Sequence, residues 1–166
     1  MQALPNVDPR AYPALMKHGN GYAAEDTELI SVAVTVEPEA VIVTVAGEID
    51  STTAPALRTT VTKLITELRP GPGGQRLVLD LIKVEFFNSS GAALVVDLHA
   101  IAAQHNVTLN LALDPAGRVM RTLKITRLAE LLPIYPSQAA ALHHSFRPGR
   151  PRLGVVTRET STSGGL

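Results

Sequence analysis

The sequence predicts an α/β fold, a mixed β-sheet flanked by helices in the order β-β-α-β-α-β-α-β-α, and three observations predict it. Short segments rich in valine, isoleucine and leucine, alternating or continuously apolar, recur between segments with helical spacing. Strands separated by helices pair in parallel through right-handed crossovers. The first two strands have no helix between them, so a hairpin adds an antiparallel strand to an otherwise parallel sheet.

Each element follows from its own residues. ISVAVTV (residues 30–36) and AVIVTVAG (40–47) alternate on either side of a turn at Pro38. GEIDSTTAPALRTTVTKLITELRP then offers Thr52 or Thr53 as a helix cap and Pro55 in the first turn. Leu57, Val61, Leu64 and Leu68 follow at helical spacing, and Pro70 with Gly71 ends the helix. After a flexible GPGG connector, RLVLDLIKVEFF (76–87) is apolar almost throughout, as expected of a central strand covered on both faces. From Ser90, SGAALVVDLHAIAAQHN is a helix with Leu94, Leu98 and Ile101 in one line. VTLNLAL (107–113) alternates as a strand, and AGRVMRTLKI is a short helix opened by Asp114 and Pro115. LLPIY is a short edge strand, and SQAAALHHSF is a last helix capped by Ser137.

Bulk composition bounds the function. With 166 residues, 45% hydrophobic and 18% charged, the chain suits one domain with an aliphatic core and two tails. Residues 1–28 are read as a flexible extension, 29–146 as the domain and 147–166 as a flexible basic tail. Fifteen basic and fifteen acidic side chains give a net charge of +0, so no global field favours nucleic acid or an anionic membrane. The absence of cysteine removes disulfides, thiolate nucleophiles and sulfur-ligated zinc, and suits a cytoplasmic setting. No signal-peptide core and no membrane-length apolar run is present.

The chemistry concentrates in VEFFNSSGAALVV, where an apolar strand gives way to a helix through Asn88, Ser89, Ser90 and Gly91. These residues serve equally as a helix cap, since Asn and Ser are favoured there, or as a modification site. A nucleophile elbow needs Gly-x-Ser-x-Gly, and Phe87 and Asn88 stand two places before the serines, so a hydrolase is not expected. His99, His105, His143 and His144 have no metal-ligand spacing, and GPGGQR lacks the Gly-Lys-Ser/Thr ending of a phosphate loop. No metal or cofactor is therefore expected. Ala92, Ala93, Val95 and Val96 carry more apolarity than one helix face can turn to the sheet, which fits either a partner surface or a homodimer.

Gly47 to Asp50 at one strand end, the strand LVLDLIKVEFF and the turn NSSGAALVV after it together resemble the STAS domain, in particular the bacterial anti-sigma factor antagonists. The resemblance covers residues 29–146 and implies a STAS-like mixed sheet. The turn of that family reads Asp-Ser-Ser-Gly or Asp-Ser-Thr-Gly, so here Asn88 replaces the acid. The resemblance implies that Ser89 is the phosphoacceptor, with Ser90 as the second candidate. It implies a non-enzymatic antagonist whose partner is an anti-sigma factor acting as an ATP-dependent serine kinase, and a serine phosphatase that reverses the modification. Binding frees a sigma factor and phosphorylation breaks the complex. The implied partner surface comprises Asp50, Ser51, Thr52, Asn88, Ser89, Ser90, Gly91, Ala92 and Val95. The alternative is a STAS module that senses a small ligand or nucleotide, or docks permanently, without phosphorylation.

Overall fold

The computed structural model describes residues 22–27, 29–37, 40–68 and 75–143. The connector at 71–74, the basic tail at 147–166, His144 and residues 1–21 of the predicted extension lie outside them. The elements are β1 (Tyr22–Thr27), β2 (Ile30–Val36), β3 (Ala40–Ile49), α1 (Ala54–Glu67), β4 (Gln75–Phe87), α2 (Ser89–Gln104), β5 (Val107–Ala112), α3 (Arg118–Ile125), a 3-10 turn (Leu128–Glu130), β6 (Ile134–Tyr135) and α4 (Gln138–His143).

The six strands lie in sequence order, β1-β2-β3-β4-β5-β6. The first three pair antiparallel and the rest parallel, which is the mixed sheet the pattern predicts. The difference is β1, which falls within the predicted extension and pairs Tyr22 with Val34 and Ala24 with Val32. A strand can join an edge through backbone hydrogen bonds alone, and YAAEDT has no apolar alternation to announce it.

The core lies mainly on one face of the sheet. Val43, Val45, Leu77, Leu79, Leu109 and Leu111 of the strands meet Leu57, Val61 and Ile65 of α1, Leu94, Val95 and Leu98 of α2, and Leu123 of α3. Burying side chains of this size contributes roughly 1.5–3 kcal/mol each, so this layer dominates stability. The opposite face carries a smaller cluster, Ile42, Val78 and Ala112 against Ala141 of α4. Two sheet residues hold that helix by its orphan carbonyls. The buried Asn110 amide donates to Ala141 O at 2.6 Å, and the Arg76 guanidinium donates to Leu142 O. The predicted cap of α4 is present, with the Ser137 hydroxyl accepting the Ala140 N–H at 3.1 Å.

Strand β4 sets the position of everything that follows. Residues 75–80 pair with β5 and 107–112, while pairing with β3 continues to Phe87. Its first half is covered on both faces, as its composition predicts; its second half outruns β5 and leaves Ile82 and Phe86 43% and 44% exposed. Helix α3 lies beside this protruding half, where the Thr122 hydroxyl donates to Phe87 O at 3.2 Å and Arg118 donates to Glu85 O at 3.4 Å. Side-chain donors thus satisfy edge carbonyls that no strand reaches.

Candidate functional site

The β3–β4 register brings the two sequence-predicted segments together. Glu48 lies opposite Phe86 and Ile49 opposite Phe87, so Asp50 and Asn88 each take the next position at the same end of adjacent parallel strands. Ligand and partner sites of α/β sheets form at such carboxyl ends, because the loops there are held by a rigid sheet.

The first turn is built around Gly47 and Asp50. Gly47 has φ +97°, and a Cβ there would stand 2.2 Å from Leu29 O, so only glycine fits where the strand bulges. Leu29 O is in turn bonded by the Glu48 N–H at 2.8 Å. Asp50 Oδ1 accepts the amides of Thr52 at 2.8 Å and Thr53 at 3.0 Å. The buried Thr53 hydroxyl donates to Glu48 O at 2.8 Å and accepts the Asp50 N–H at 3.1 Å. The helix cap expected of Thr52 or Thr53 is not made: no side chain caps α1, and Asp50 instead closes the turn that precedes it. Thr53 is the N-cap by position, yet its hydroxyl faces back into the turn. The amides of Thr53 and Thr52 hold the Asp50 carboxyl below its ordinary value. Ser51 and Thr52 are exposed beside it.

The second turn uses an amide for the same task. Asn88 Oδ1 accepts the N–H of Ser90 at 2.9 Å and of Gly91 at 3.4 Å, capping α2. A carboxylate could accept the same two bonds, so Asn88 preserves the cap and omits the charge. Ser89 opens the helix exposed, and its hydroxyl forms no hydrogen bond with the described residues. Ser90 is half-buried. Gly91 is buried, and a Cβ on it would stand 2.6 Å from the Phe87 ring, so its small size serves the chain's own aromatic side chain.

Helix α2 sorts the surplus apolar residues. Ala92 and Val95 are 3% and 0% exposed and belong to the core, so in the free domain neither meets a partner. Among the outward residues, Ser89, Ala93, Val96, Ala100 and Ala103 recur every three or four positions and form one exposed seam of small and aliphatic side chains, flanked by the exposed Asp97 and Gln104. Ala93 and Val96 are among the surplus apolar residues the sequence singles out, whereas Ala100, Ala103 and Phe86 are not. A period of 3.6 reveals that a helix has faces, but its phase relative to the sheet is fixed only by packing.

The histidines lie elsewhere. His99 is ten residues along α2 from Ser89, about 15 Å along the axis, and burial lowers its pKa. His105 and His143 are exposed at helix ends. Among the described residues no group of three His, Cys, Asp or Glu side chains is placed to hold a metal ion.

Against this geometry the comparisons with known proteins are specific. The family model for the STAS domain matches residues 31–141, and the chain belongs to that family. It is similar to an anti-sigma factor antagonist from Mycobacterium paratuberculosis at 30% identity and a TM-score of 0.59, covering 73% of this chain and 96% of that one. A STAS domain protein from Planctomyces limnophilus, also an anti-sigma factor antagonist, shares the fold at 21% identity and a TM-score of 0.52, covering 67% and 93% of the two chains. The anti-sigma factor antagonist SpoIIAA, in its unphosphorylated form, does so at 18% identity and a TM-score of 0.51, covering 66% and 91%.

Proposed function

We propose that the protein is an anti-sigma factor antagonist working by partner switching. It binds an anti-sigma factor that is an ATP-dependent serine kinase and thereby releases a sigma factor. The kinase transfers the γ-phosphoryl group of ATP to Ser89 Oγ, the complex separates, and a serine phosphatase restores the binding form. The domain acts by binding and performs no catalysis itself. One observation carries this reading: an exposed serine hydroxyl, unbonded among the described residues, stands at the head of an apolar helix seam, beside the turn at Asp50. The helix N-terminus there favours an anion, so the modified domain stays folded. A partner covering the seam would have to desolvate about −1.5 to −2 charges of phosphate, which supports release upon modification.

In this reading the partner surface comprises Asp50, Ser51, Thr52, Asn88, Ser89 and Ser90, extended by Ala93, Val96 and the exposed Phe86. Residues 29–146 form the regulatory domain. Asn88 favours one variation, a module that docks without being phosphorylated, because a neutral amide stands where a charge would otherwise steer a kinase. Incubating the full chain with ATP and kinase-type anti-sigma factors from the same genome, followed by intact mass measurement, decides between them. The expected result is a single phosphate, absent in Ser89→Ala. Stable binding with no added phosphate, unaffected by Ser89→Ala, would establish permanent docking instead.

A further inference from the structure

Helix α3 carries a surface that the Ser89 site does not use. Between Arg118 and Leu131 the chain has four cations, Arg118, Arg121, Lys124 and Arg127, against the single acid Glu130. All four cations are exposed. The ion pairs formed among the described residues include Arg58–Asp97 and Lys63–Glu67, and none is formed by α3. At 100° per residue, Arg118, Arg121 and Lys124 fall within an arc of about 120°, opposite the buried Val119 and Leu123, and recur about every 4.5 Å along the axis. Ile125 falls inside the same arc and is 77% exposed, the highest value for a large aliphatic among the described residues. Leu131, just past the 3-10 turn that packs on α3, is 68% exposed.

We propose that this solvent face of α3 is a docking surface for an acidic protein segment, one that presents carboxylates to Arg121 and Lys124 and an apolar socket to Ile125. Charge complementarity selects an acidic partner, and the exposed isoleucine amid the cations selects a protein one. A nucleic acid offers phosphates, but residues 118–131 contain no aromatic on which bases would stack. An interfacial helix buries its apolar face in lipid, whereas the apolar face of α3 is already packed in the core. A protein interface combines the two chemistries found here, a desolvated apolar anchor within a charged rim that accelerates association. The surface stands independently of the phosphorylation of Ser89.

The test uses the full chain with three probes: a fluorescein-labelled helical peptide bearing glutamates on one face around a single leucine, a short duplex DNA, and phosphatidylglycerol vesicles. The peptide should bind, and Arg121→Glu with Lys124→Glu should weaken it by about tenfold or more at low salt. Arg58→Glu with Lys63→Glu, the same change in net charge on α1, should leave it unchanged. Ile125→Ser should weaken the peptide by about threefold even in high salt, where the charges are screened. The proposal is overturned if wild type does not bind the peptide, or if both charge-reversal pairs weaken it alike. It is overturned equally if DNA or vesicles bind more tightly through these cations, or if sedimentation shows a dimer that the α3 reversal dissolves.

Discussion

The two turns at the end of β3 and β4 perform the same local task with opposite consequences. In turn 50–53 an ionised carboxylate receives two amides, and the threonine hydroxyl behind it is buried with a donor bond and an acceptor bond of its own. In turn 88–91 a neutral amide receives two amides, and the serine beside it is exposed, its hydroxyl unbonded among the described residues. A hydroxyl already committed to backbone groups is scaffold, whereas an uncommitted one at a helix start is available to chemistry. The first turn therefore fixes the geometry, and the second presents the group that geometry positions.

Substitutions that break this contrast should rank accordingly. Gly47→Ala places a methyl against backbone at a positive φ and should cost about 3 kcal/mol or more, read as a lower urea midpoint with an unchanged slope. Thr53→Val keeps the volume but strands Glu48 O and the Asp50 N–H, and should cost about 1–3 kcal/mol in the same measurement. Asn88→Ala removes the cap of α2 and should cost about 1 kcal/mol.

Exchanging the acceptor side chains of the two turns sharpens the comparison further. The folded-state pKa of Asp50 is depressed, so its contribution is present above the unfolded carboxylate value of about 3.9 and is lost as pH falls through the folded value. Asp50→Asn should preserve the turn and flatten that acid limb of the stability profile. Asn88→Asp should create a new acid limb and add about 0.3–1 kcal/mol above the carboxylate range, because it sets a negative charge at the N-terminus of α2. Thermal melts from pH 3 to 7 read both. Ser89→Ala should change stability least, within about 0.5 kcal/mol, while abolishing phosphate incorporation. A larger loss of stability would mean that the serine is a structural member of the turn after all.

Much of the fold was legible because it rests on local periodicity. The alternation of 30–36 and 40–47, the spacing of Leu57, Val61 and Leu64, and the β-branched run of β4 each encode their element directly. Strand β1 was not legible, because edge pairing is made by backbone groups that every residue carries. The motif 47–50 was legible as a pattern but not as a mechanism. That Gly47 avoids Leu29 O depends on a backbone atom brought in from another segment.

The sequence by itself determined the order of elements from β2 onward, the mixed character of the sheet and the residues of the two turns, since hydrophobic period and capping chemistry act over a few positions. Tertiary structure decided which side of each element faces solvent. The pairing of Ile49 with Phe87 set the turns side by side. The sheet claimed Ala92 and Val95 and left Ala93 and Val96 outside. Packing Val119 and Leu123 inward turned three cations and Ile125 outward together. A helix has no inside until something packs against it, and its phase is settled only when distant segments compete for the same buried surface.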